Sequence, residues 1–151
     1  MNKEFCTCKQ SLALKDLGFD EPCFSYYVDC ELRGVNLGME ELGGVKPYYE
    51  RFGYHTINNH HIDNKNKIIT SAPLKQQAFR WFREKHNLCG EIYTVNMGAI
   101  DYTFQIRDLY SEDVKHDNFE AYTGGYIGTF STYEEAEDAC LDKLIEIVKT
   151  K

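Results

Sequence analysis

The run Gly125–Lys149, GYIGTFSTYEEAEDACLDKLIEIVK, constrains the fold more than any other stretch of the chain. It joins a short β-prone segment, Tyr126–Phe130, to a helix start and an amphipathic helix without a break. Thr132 with Glu135 three residues on spells a capping box. The threonine hydroxyl accepts from the third helical N–H while the carboxylate reaches back to the cap N–H. Ala136, Cys140, Leu144, Ile147 and Val148 recur at helical spacing and make one apolar stripe. The acidic start (Glu134, Glu135, Glu137, Asp138) and basic end (Lys149, Lys151) suit the helix dipole.

A second helix is predicted to open at Ser71, with Pro73 in its first turn, where the missing N–H costs nothing. Leu74, Ala78, Trp81 and Phe82 share one face of it, and Asn87 and Gly90 stop it. Glu91–Met97 and Ile100–Arg107 read as two strands around a turn at Gly98. In the second, Ile100, Tyr102, Phe104 and Ile106 alternate with Asp101, Thr103, Gln105 and Arg107, which predicts one buried and one polar face. Asp108–Tyr122 reads as an acidic loop. The expectation is an α+β fold: a three-stranded (or larger) antiparallel sheet covered on one face by helices, in αβββα order over residues 71–150.

The first 70 residues read as a less regular helix, strand and loop part of the same single domain, 1–151. Ser11–Leu17 predicts a short helix capped by Ser11 and ended at Gly18 in the left-handed conformation. Cys23–Cys30 is β-prone and is expected to extend or cover the C-terminal sheet. Gly34–Gly44, with four glycines, is a loop, Pro47–Phe52 is open between helix and strand, and Asn58–Lys67 is a polar loop or hairpin tip.

Net charge is -7, so phosphate backbones repel the chain unless basic residues cluster; nucleic acid is a disfavoured partner, and a basic protein surface a suitable one. No apolar run is long enough to span a bilayer, and MNKEFCTCKQ carries no apolar signal core. The expected location is therefore the cytoplasm. In that reducing setting the six cysteines are expected as free thiols, with Cys140 a small core residue.

No catalytic set emerges. Cys89 follows His86 by three residues at a helix C-terminus, whose partial charge disfavours a thiolate. No metal site is expected either. His55, His60, His61 and Asp63 sit in a solvated Asn-rich stretch, and the spacings of Cys6/Cys8 and Cys23/Cys30 miss the usual zinc knuckle. No cofactor is implied. The ligand-binding candidates are Tyr48, Tyr49, Arg51, Tyr54 and His55, beside the glycine-rich stretch. Backbone amides could approach an anion there while Tyr and Arg stack on and pair with a nucleotide.

Two resemblances bear on function. TFQIRD with the later YIGTFSTYEEAEDA resembles the β-β-β-α DNA-binding domains of AP2 and integrase-arm type, and the element order resembles double-stranded-RNA-binding domains. The chain departs from both. Arg107 is the one arginine on the polar face of the second strand, and four acids stand where RNA-binding domains place lysines. LKDLGFDEPCFSYY, SAPLKQQAFRWFREKHNL and TYEEAEDACLDKLIEIVK together resemble small uncharacterised proteins encoded by phages and prophages of gut bacteria. That resemblance implies a non-enzymatic accessory protein acting by binding in the host cytoplasm. It would counter a host defence by sequestering a host protein or a small nucleotide-like signal. The alternatives are a small enzyme acting on a phosphorylated or nucleotide-like molecule, and a nucleic-acid-binding regulator. A homo-oligomer is compatible with every one of these.

Overall fold

The computed structural model of the 151-residue chain describes residues 2–23, 25–34, 61–62, 68–96, 100–110, 114–117 and 128–150. The chain divides into two compact units, Met1–Leu74 and Lys75–Lys151. Among the described residues, the N-terminal strands pair with one another in a sheet of their own. The α+β class and the antiparallel pairing hold in both units.

The first unit opens with a 3-10 turn, Asn2–Glu4, and helix α1, Cys8–Asp16. The cap of α1 is Thr7, not Ser11: Thr7 Oγ1 accepts from Gln10 N and Gln10 Oε1 accepts from Thr7 N, a complete capping box. Ser11 lies inside the helix, 1% exposed. The helix ends at Gly18 (φ +91°), where Phe19 N donates to Leu14 O and Gly18 N to Lys15 O. This pair of bonds is a Schellman motif, and Gly adopts the left-handed conformation without a Cβ clash. Leu14 and Phe19, on either side of it, are both buried.

Strands β1 (Ser25–Val28), β2 (Glu31–Gly34), β3 (His61–Ile62) and β4 (Ile68–Ala72) make a sheet of order β2-β1-β4-β3, every pair antiparallel. The β1–β2 turn is Asp29-Cys30, with φ of 50° and 64°. Two positive φ values in a two-residue hairpin are the type I′ signature, whose twist matches that of the strands. Ser71 pairs with Tyr26 inside β4, so it does not open the second helix. Helix α1 packs on β4, and Tyr27 of β1 donates from its hydroxyl to Cys6 O at 2.7 Å.

The second unit runs α2 (Lys75–His86), β5 (Leu88–Asn96), β6 (Ile100–Asp108), β7 (Val114–Asp117) and α3 (Tyr133–Lys149), the expected αβββα order. Asn87, at φ +57°, turns the chain from α2 into β5, and Gly90 belongs to the strand. The third strand is VKHD at 114–117, inside the stretch read as loop. Of the expected strand Tyr126–Phe130, residues 126–127 lie outside the described residues, and Phe130 makes a single bridge to Tyr102. The far edge of β6 is thus shared: β7 pairs with Gln105–Arg107, and Phe130 exchanges two main-chain bonds of 2.8 Å with Tyr102.

Both helices cover one face of this sheet. An ideal Cβ on Gly90 would lie 2.6 Å from Cys140 Sγ and 3.3 Å from Leu144 Cδ1 of α3, and 2.8 Å from Phe79 Cε1 of α2. Opposite Gly90 on β6 sits Ile106, with Phe104 two residues on, both buried. Trp81, Phe82, Ala136, Cys140, Leu141, Leu144 and Ile145 complete the core. Ile147 and Val148, placed on the stripe by the sequence, are half-buried. The Thr132–Glu135 capping box forms as expected, with bonds of 3.2 and 3.3 Å.

Candidate functional site

The candidate ligand residues Tyr48, Tyr49, Arg51, Tyr54 and His55 lie outside the described residues, as do His60 and Asp63. Among the described residues, no three His, Cys, Asp or Glu converge as a metal site. The chemistry available for description lies in three places.

The first is the start of α3. Lys75, the first residue of α2, is 2% exposed. Its Nζ lies 2.7 Å from Asp138 Oδ1 and 3.4 Å from Glu137 Oε2, and donates to Glu134 O at 3.5 Å. Burial alone would lower the Lys75 ammonium; its bonds and charges with Asp138 and Glu137 outweigh that and hold it above the ordinary lysine value. A lysine that serves as base or nucleophile needs the opposite shift. This one is a fixed cation bracing α2 against α3.

Beside that brace the helix-covered face of β6 emerges into solvent. Along the strand, Ile106 and Phe104 are buried, Tyr102 is half-buried and Ile100 is 66% exposed. Alternation puts all four side chains on one face, so the expected buried face runs out at the start of α3. Tyr133, 46% exposed, meets Tyr102 edge to face with ring centroids 6.0 Å apart. Thr94 and Asn96, opposite Tyr102 and Ile100 on β5, are exposed. The result is a shelf of Ile100, Tyr102 and Tyr133 under the helix start, whose first turns carry Glu134, Glu135, Glu137 and Asp138. Burial, helped by the nearby Glu137, raises the Tyr133 phenol, so it stays neutral and can donate. The other exposed apolar residues of β6 and its exit, Leu109 and Tyr110, lie at the opposite end of the strand. The alternation in β6 was legible in the sequence. Its exposed end was not, because that depends on where α3 stops covering it.

The second place is the outer sheet face around Cys89. Arg107, directly across from Cys89, sits 3.7 Å from Glu91 and donates from Nε to Gln105 Oε1 at 2.9 Å. Burial, then Glu91, raises the Cys89 thiol, and Arg83 and Arg107 oppose them. The neighbours of Cys89 thus compensate one another. Thr103, on this same nominally polar face, is buried and donates to Gly128 O at 3.0 Å.

The third is a disulfide. Cys8 and Cys30, expected as free thiols, are bonded, their Cα atoms 5.3 Å apart. The bond ties the first residue of α1 to the tip of the β1–β2 hairpin. That proximity exists only after α1 has packed on the sheet. Cys6, Cys23, Cys89 and Cys140 are thiols outside this disulfide.

No protein-family model, curated protein or solved structure matches the chain.

Proposed function

We propose that this chain works by binding a partner protein that presents a basic, aliphatic surface, and that it leaves that partner chemically unchanged. The observation that carries the reading is the shelf at the start of α3. There exposed Ile100 and the Tyr102–Tyr133 pair adjoin Glu134, Glu135, Glu137 and Asp138, the last two ion-paired with the buried Lys75 ammonium. Aromatic rings beside a group of carboxylates suit lysine and arginine side chains, whose stems pack on the rings while their charges meet the acids. The net charge of -7 steers a basic partner toward the chain. The raised lysine and the raised thiols support binding over catalysis, since each lies on the unreactive side of its ordinary range. The phage-protein resemblance supplies the setting: an accessory protein in the host cytoplasm that occupies a host defence protein. No helix among the described residues is long and apolar enough to cross a membrane.

A random-peptide library displayed on yeast and panned on the folded protein tests this. Enriched peptides should combine Lys or Arg with aliphatic residues, lose binding to Tyr133→Ala and Ile100→Ser, and elute with unchanged mass. Enrichment of acidic peptides, or binding that survives both substitutions, overturns the reading. A changed peptide mass points instead to an enzyme.

A further inference from the structure

We infer that the Cys8–Cys30 disulfide is an exchange site for small thiols, which attack Cys30 and leave it reversibly S-thiolated. The two sulfurs occupy opposite environments. Cys30 is exposed at the tip of the β1–β2 hairpin, open to an incoming thiolate from solvent, and the neighbouring Glu31 carboxylate is paired with Arg33 at 2.6 Å. Cys8 is half-buried at the first position of α1, beside the capping box of Thr7 and Gln10 and next to Lys9. A helix N-terminus stabilises a thiolate, and the sulfur of lower pKa is the better leaving group.

The chemistry follows from that asymmetry. The attacking thiol loses its proton to solvent. Its sulfur then bonds to Cys30 Sγ as the Cys8–Cys30 bond breaks, and the bonding pair departs with Cys8 Sγ as thiolate. A second thiol displaces Cys30 from the mixed disulfide, so two small thiols are oxidised to one disulfide while the protein pair is reduced. Cys6, two residues from Cys8, is fully buried and does not compete. This inference is independent of the binding shelf, which lies in the other unit.

The test is to expose the folded, oxidised full chain to 2-mercaptoethanol, quench with acid, alkylate and map the adduct by peptide mass spectrometry. The adduct should sit on Cys30 with at least a tenfold excess over Cys8, and Cys8 should carry the alkylating label. An equal or larger adduct on Cys8 overturns the inference. So does a bond that opens only in denaturant. A second measurement does not depend on trapping. In Cys30→Ser, alkylation of Cys8 by iodoacetamide should rise with pH at a lower midpoint than alkylation of Cys30 in Cys8→Ser, and equal midpoints overturn the assignment.

Discussion

Lys75 and Asp138 meet at 2.7 Å across the gap between the first turn of α2 and the second turn of α3, with the lysine side chain 3% exposed and the aspartate side chain 40%. Lys75→Met should cost about 3 kcal/mol, because it removes the ammonium 3.4 Å from Glu137, whose side chain is 12% exposed. Adding Glu137→Gln should recover part of that loss, a coupling that urea denaturation of the two singles and the double can read. The folded-state pKa of Lys75 is raised, so its contribution is fully present below the unfolded value of 10.5 and is lost as pH rises through the higher folded value. The stability gap between wild type and Lys75→Met should therefore stay constant at neutral pH and close only in strong alkali.

Gly90→Ala should destabilise the second unit by about 1–3 kcal/mol, since the new methyl meets core side chains from both helices. Its nearest neighbour is Cys140 Sγ, at 2.6 Å. Truncating that sulfur with Cys140→Ala should make the double variant more stable than the sum of the singles predicts. Additive losses would show that the sulfur is not what the methyl strikes.

Thiol reactivity should sort by position. Cys89, half-buried, should react first with Ellman's reagent in the native protein. Cys23 should lag, because burial pushes its thiol up to about 12. Cys140, raised further by burial, and Cys6, fully buried, should stay silent until the chain unfolds. The native state holds the Cys23 proton while the unfolded thiol gives it up near 9.0, so this group lowers stability progressively from pH 9.0 to about 12. Cys23→Ala should flatten that part of the alkaline stability curve.

Thr70, central in β4 and 1% exposed, buries a hydroxyl without a hydrogen-bond partner among the described residues, as does Ser11 on α1, the helix that packs against β4. A desolvated hydroxyl that forms no bond costs about 1–3 kcal/mol, and valine has nearly the same shape and suits a strand. Thr70→Val should therefore raise the melting temperature. A fall would mean that the hydroxyl is satisfied in solution.

What the sequence revealed was local. Thr132 and Glu135 stand three residues apart on one turn, so their capping box could be read directly, as could the chain reversal at Gly18. Thr7 and Gln10 carry the same spacing, but the polar Cys8-Lys9 between them hid the helix start behind the more conspicuous Ser11. Ser71 has cap chemistry, yet its pairing with Tyr26 in the β-sheet prevails, because main-chain bonds to a distant strand outweigh a local propensity. VKHD has no apolar alternation, and only the open edge of β6 makes it a strand. Cys8 and Cys30 gave no sign of pairing, since 22 residues separate them and the fold alone brings them together. The shelf was half visible: Ile100 and Tyr102 stood in the β6 alternation, and their exposure beside Tyr133 was not legible. Tyr48, Tyr49, Arg51, Tyr54 and His55, where a nucleotide-like ligand was expected, lie outside the described residues.

The bridge between Tyr102 and Phe130 spans 28 positions of the chain and ends two residues before the cap of α3. Closing so long a loop forfeits more entropy than forming the adjacent β5–β6 hairpin, so this stitch belongs late in assembly. Once tied, it anchors the final helix by its leading end. Sliding that helix along the sheet would require tearing both backbone links, which gives the C-terminal unit a fixed register rather than a greasy bearing.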